Sequence, residues 1–278
     1  MTLQHTGIRA LASRAWDILQ RNWVLFALIV SETFLNIFIL SGTGTGTNTL
    51  LIILMVYLHL AMLSGWFYQM KRVALIPEYR TSWGDFFSGV SLYAGRMLVG
   101  GSYLLLVCMA VFFVGTLVAN FVVTPPSPEI ISQLQGLATE GDNAKLWEYV
   151  QAEPTLQKPL MQAGAVLLAS VSLLGLFLLS IFFWPYNVVL YDMKWREAWA
   201  YSRKFIAQAW RPLISLGAAW IGVHLLFLLS VLTGQIFLIM VTYVLYLLGK
   251  TLLPLMTTLF LVDYAPERLS PIEVEAAP

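Results

Sequence analysis

Lys194-Trp-Arg-Glu-Ala-Trp-Ala-Tyr-Ser-Arg-Lys-Phe-Ile-Ala-Gln-Ala-Trp-Arg211 is a charged, tryptophan-rich stretch that runs directly into two apolar passes, Pro212–Thr233 and Gln235–Val262. At helical spacing, Trp195, Ala198, Trp199, Ser202, Ile206, Ala209 and Trp210 fall on one side. Arg196, Glu197, Arg203, Lys204, Gln208 and Arg211 fall on the other. The pattern predicts a helix lying in the headgroup plane that feeds a membrane hairpin.

Two looser versions of this unit stand upstream. Between Ile8 and Trp23, apolar Ile8, Leu11, Ala15, Ile18 and Leu19 alternate with Arg9, Ser13, Asp17, Gln20 and Arg21. From Ser82 to Arg96, Trp83, Phe86, Phe87, Val90 and Ala94 form one stripe, and Asp85 stands three residues after Ser82 as in a capping box.

Hydrophobic residues make up 59% of the 278 and charged residues 11%, against about 25% charged in soluble proteins. Apolar runs at 22–40, 49–70, 97–123, 161–190, 212–233 and 235–262 each match the roughly 20 residues that cross about 30 Å of hydrocarbon as helix. Open strands would strand backbone polar groups in lipid, so the expected fold is all-α: an integral membrane protein of six transmembrane helices in three hairpin units, each preceded by a cytoplasmic-side amphipathic interfacial helix. One polytopic domain, 1–278, is expected. The basic start followed by an apolar run resembles a signal peptide, but the run contains Glu32 and Asn36 and lacks an A-x-A-like exit, so it is read as a retained span.

Lys and Arg are unevenly shared between the connecting segments. Thirteen fall in the N-terminal segment, the segments after the second and fourth runs, and the tail, from Arg9 to Arg268. Only Lys145 and Lys158 lie in the long segment 124–162. The positive-inside rule then puts both termini in the cytoplasm and 124–162 outside. That segment opens Pro125-Pro126-Ser127-Pro128 and offers Glu129–Leu137 and Asp142–Gln151 as short helices capped by Ser127 and Asp142. It is mildly acidic and could dock a periplasmic protein. Trp184-Pro185 predicts a kink late in the fourth run.

The segment Tyr186-Asn-Val-Val-Leu-Tyr-Asp-Met-Lys-Trp-Arg-Glu-Ala-Trp-Ala-Tyr-Ser-Arg-Lys-Phe205, the six runs and the closing Leu259-Phe-Leu-Val-Asp-Tyr264 resemble a group of bacterial six-span inner-membrane proteins. These are similar to the membrane domain of some glycerophosphoryl diester phosphodiesterases and to the YciC-type family. The resemblance implies the fold and a bacterial inner membrane. The catalytic domain of the fused enzymes has no counterpart in this chain, so their chemistry does not carry over.

No nucleophile–base pair and no metal-ligand spacing is readable around His5, His59 or His224, the single Cys108 allows no internal disulfide, and neither catalytic residues, cofactor nor metal is expected. A net charge of +1 gives no reason to expect nucleic acid. In Ser41-Gly-Thr-Gly-Thr-Gly-Thr-Asn48 the glycines follow a span and no strand, which reads as a turn.

Ionisable groups inside apolar runs are costly and therefore informative. Glu32, His59, His224 and Lys250 each lie about 15–18 Å along their runs from the cytoplasmic end, at about 1.5 Å per residue. With Asn36 they are expected to form one midplane polar cluster in which Glu32 and Lys250 approach. Mutual neutralisation that fixes packing is the favoured role, and a proton or solute pathway the alternative. Trp23, Trp83, Trp195, Trp199 and Trp210 read as interfacial anchors. The expected function is that of a non-enzymatic scaffold or accessory subunit in contact with membrane lipid and partner proteins, and a small-solute, ion or amphiphile transporter is the alternative.

Overall fold

The computed structural model describes residues 7–26, 29, 33, 49–76, 78–140 and 143–265. No strand occurs among them. The helices are α1 (Ile8–Arg21), α2 (Thr49–Leu75), α3 (Trp83–Val122), α4 (Pro128–Glu140), α5 (Asn143–Ala152), α6 (Gln157–Ser180), α7 (Trp184–Leu190), α8 (Trp195–Thr233) and α9 (Ile236–Tyr264), with a 3-10 turn at Pro154–Leu156. Four described stretches, Trp83–Val122, Pro154–Leu190, Leu213–Thr233 and Phe237–Tyr264, are long and apolar enough to cross a membrane. The chain is an all-helical membrane-embedded protein. The run expected to cross first, 22–40, lies mostly outside the described residues, as do the 41–48 turn and Arg268.

Two compact units are present: residues 1–101 with 181–278, and residues 102–180. In the first, α2 and α3 cross at a pair of glycines. A Cβ on Gly65 would stand 2.6 Å from the Phe86 carbonyl oxygen, and one on Gly89 would stand 2.9 Å from the Gly65 Cα, so only hydrogen at both positions lets the backbones meet.

Short helix α7 sits at the heart of this unit. Its Val188, Val189 and Leu190 are buried, and neighbouring elements bind it through polar groups. The Phe183 N–H donates to Ser202 Oγ at 3.1 Å, Asn187 Nδ2 donates to the Ala198 carbonyl at 3.2 Å, and Tyr191 Oη donates to the Leu261 carbonyl at 2.8 Å. Residues 186–191 are therefore core.

Where a kink was expected at Pro185, the chain breaks outright. Without its N–H, Pro185 cannot serve the carbonyl of Ile181, so α6 ends at Ser180 and α7 restarts with the proline in its first turn, where the missing donor is harmless. A second break follows the same logic: Pro212 has no N–H for the Gln208 carbonyl, and Ala209 leaves helical geometry at φ −110°, ψ 19°. Gly234, at φ +67°, then turns α8 into α9. Ser230 and Thr242 hydroxyls bond at 2.5 Å across that hairpin.

The expected division of Ser82–Arg96 from the following span is absent: α3 is one helix of 40 residues. The apolar stripes of the three expected surface helices are also partly occupied by protein. Leu11, Ala15, Ile18 and Leu19 of α1, Phe86 and Met97 of α3, and Ala198, Ser202 and Ala209 of α8 are buried, whereas Trp83, Phe87 and Trp210 of the same stripes are exposed.

In the second unit, α3 beyond Gly101 pairs with α6, and a Cβ on Gly115 would come 2.5 Å from Ser170 Oγ. A small cavity of about 140 Å³ lies beside this crossing, lined by Thr116, Ala119 and Ala163 among others. The Thr124 N–H donates to Gln162 Oε1 at 3.0 Å, closing the ends. The Ser127 cap expected for α4 forms, with Ile130 N–H donating to its Oγ at 3.4 Å. Asp142 lies outside the described residues.

Candidate functional site

The polar groups of the first unit concentrate where α2 ends and α3 begins. Ser82 caps α3: its Oγ accepts from the Asp85 N–H at 3.3 Å, while Asp85 Oδ2 accepts from the Ser82 N–H at 2.8 Å and from its hydroxyl at 3.0 Å. The other carboxylate oxygen of Asp85 accepts from Arg72 at 2.8 Å and from Tyr79 Oη at 2.8 Å. Asp85 is 5% exposed, so four donors surround a carboxylate almost removed from water. Such an ion is tolerable because every lone pair is answered. Gln69 Nε2 donates to the Ser82 carbonyl at 2.8 Å, and Asn22 Oδ1 accepts the Thr81 N–H at 2.7 Å, tying α1 and α2 to the same loop. Burial and the hydrogen bond to Asp85 push the Tyr79 phenol up to about 12.

On another face of α2, Lys71 is 2% exposed. Its Nζ donates to the Val189 carbonyl at 3.1 Å and lies 5.9 Å from the Tyr93 ring centre. Burial lowers the ammonium to about 8, and attraction to Asp192 opposes that fall. Asp192 occupies the left-handed region at φ 55°, which an aspartate tolerates. Arg96 holds it there, donating to its carboxylate at 2.6 Å and to its carbonyl at 2.9 Å. Together Lys71, Arg96, Tyr93 and Asp192 join α2, α3 and the corner between α7 and α8.

The expected midplane cluster is reached in part. Glu32 and Asn36, and with them the approach of Glu32 to Lys250, lie outside the described residues. His59 is half-buried in α2. His224 and Lys250 meet at one ring: the imidazole is edge-on to Tyr246 at 5.2 Å, and Lys250 Nζ lies 5.7 Å from the same ring centre. His224 stacks on Trp220 at 5.7 Å and its Nδ1 is 2.8 Å from the Trp220 carbonyl. A shallow groove of about 270 Å³ runs along this face of α8, lined by Trp220, Ile221, His224, Leu225 and Leu228.

Of the expected anchors, Trp23, Trp83 and Trp210 point outward, at 70%, 49% and 52% exposure. Trp195 and Trp199 are half-buried and pack on each other at 5.3 Å, and Trp199 also meets Trp184 at 6.4 Å. Among the described residues, no three His, Cys, Asp or Glu side chains are grouped as metal ligands.

Sequence reading missed the Asp85 and Lys71 centres. Lys71 and Arg72 were counted as loop charges, but both belong to α2. A usable signal was present: Gln69, Lys71 and Arg72 crowd the end of an apolar run immediately before an aromatic–acid motif. Compared with protein-family models, curated proteins and solved structures, the chain matches none.

Proposed function

We propose that the chain is a non-enzymatic six-span protein of a bacterial inner membrane, with both termini cytoplasmic, acting as scaffold or accessory subunit of an envelope or membrane complex. The observation that carries this reading is where the charges go. Asp85 with Arg72, Asp192 with Arg96, and Asp263 with Arg14 at 3.0 Å bind helices to one another and build a rigid frame. Large apolar side chains such as Phe113, Leu168 and Phe237 face outward to lipid or to partner spans. Residues 124–162 extend the reading to a periplasmic partner, and resemblance to the YciC-type family fits the same role.

Purification of the chain from its native membrane in mild detergent tests this. A stoichiometric membrane partner, released by Phe113→Ser or Leu168→Ser, is the expected result. A chain that purifies alone and carries solute or ions across vesicles would replace the scaffold with the transporter. That second reading has its own observation, the meeting of His224 and Lys250 on Tyr246. A cysteine introduced at Asp142 should react from the extracytoplasmic side only, which tests the orientation.

A further inference from the structure

We infer that the outward face of α8 before its break, residues 195–208, binds anionic phospholipid headgroups in preference to zwitterionic ones. The inference rests on the multi-pass membrane reading and deepens it by naming the lipid class. It does not depend on the scaffold role.

The inner stripe of this segment, Ala198, Ser202, Phe205 and Ala209, is buried. The opposite face exposes Arg196, Ala200, Arg203, Lys204 and Ala207, so three cations stand among methyl groups that leave room for a headgroup to come close. The one acid of the segment, Glu197, is also exposed, but its Oε2 is engaged by the Lys194 N–H at 3.4 Å at the helix start, so three cations stand against one carboxylate. Arg196 lies 5.2 Å from the Trp195 ring centre, which holds its guanidinium in place.

Depth selects lipid over a soluble acidic partner. The break at Ala209 separates the cationic segment from the apolar stretch that begins at Leu213. Lys204 is about 14 Å along the chain from Leu213 at about 1.5 Å per residue, which leaves it within about one Debye length of the headgroup layer. Trp210, half-exposed between the two, has the amphipathic ring that favours that layer. A phosphodiester with no compensating cation gains from an arginine fork and an adjacent ammonium, whereas a choline headgroup already carries its own counter-charge.

The full chain, reconstituted in vesicles of equal phosphatidylglycerol and phosphatidylcholine and extracted in mild detergent, can be assayed for retained lipid by mass spectrometry. Wild type should retain several-fold more phosphatidylglycerol than phosphatidylcholine. Arg203→Gln with Lys204→Gln should lower that enrichment by about fivefold or more, the factor one basic residue carries at an anionic surface. Lys145→Gln with Lys158→Gln should leave it unchanged. If the glutamine pair does not fold, the charge-keeping exchange Arg203→Lys with Lys204→Arg must retain the enrichment. No enrichment in wild type, equal enrichment in the folded glutamine pair, or equal loss in the 145/158 control each overturns the inference. Failure of the membrane reading would appear separately, as a chain that does not enter vesicles at all.

Discussion

The end of the first unit around Asp85 and the helix pair of residues 102–180 are both built from apolar helix, yet different forces hold them. Around Asp85, buried ions and glycine crossings fix every neighbour: four donors converge on one carboxylate, and α2 meets α3 with no room for a methyl group. In the 102–180 unit the contacts are those of small residues such as Gly115 and Ser170, and side chains as large as Phe113, Phe121 and Leu168 face outward. Between helices in lipid there is little hydrophobic drive, so specificity comes from packing and polar contacts. The first region has both. The second has mainly packing.

Substitutions can break this contrast in order of expected size. Asp85→Ala leaves Arg72 without its partner and strips the cap of α3, and should cost about 3–5 kcal/mol in detergent unfolding. Gly89→Leu forces α3 away from Tyr68 and Gly65 and should cost about 1–3 kcal/mol. Gly115→Leu should cost less than Gly89→Leu, because the obstructing atom is the end of the Ser170 side chain and not backbone. Phe113→Ala, on an exposed face, should change unfolding by no more than about 0.5 kcal/mol. Equal costs at Gly89 and Gly115 would erase the distinction.

Titration sharpens the same comparison. The lowered ammonium of Lys71 means that the folded chain binds its proton less tightly than the unfolded chain. Its stabilising contribution is therefore present above about 10.5 and lost as pH falls through about 8. Tyr79, raised to about 12, works in the opposite sense: its contribution is present below about 10 and lost as pH rises through about 12. Lys71→Met should abolish the gain between pH 8 and 10.5 in a stability-versus-pH profile, and Tyr79→Phe should abolish the loss above pH 10.

How much of this was legible depended on whether the controlling interaction was local. Helix type, the boundaries of α9, the start of α4 and the Ser82–Asp85 cap follow from hydropathy, proline and residues three apart, all of which a short window contains. The continuity of α3 was hidden because Arg96 reads as the edge of a span. Its guanidinium is taken by Asp192, 96 residues away. The burial of Lys71 was hidden for the same reason, since its acceptor Val189 is 118 residues distant. Equal depth put His224 and Lys250 in one expected cluster, but gave no sign of Tyr246, one helical turn before the lysine, against which both lie. A charge in sequence has a sign but no partner, and the partner decides whether it faces water or fixes a frame.

The central claim is that the charges near Asp85 act as one structural device, and a double-mutant cycle tests it directly. Unfolding of the purified chain in detergent would be compared for Arg72→Met, Asp85→Asn and the two combined. Coupling of at least about 1 kcal/mol, with the double variant more stable than the sum of the single losses allows, is the predicted result. Additivity within about 0.5 kcal/mol would mean that the two side chains do not act together and would contradict the account.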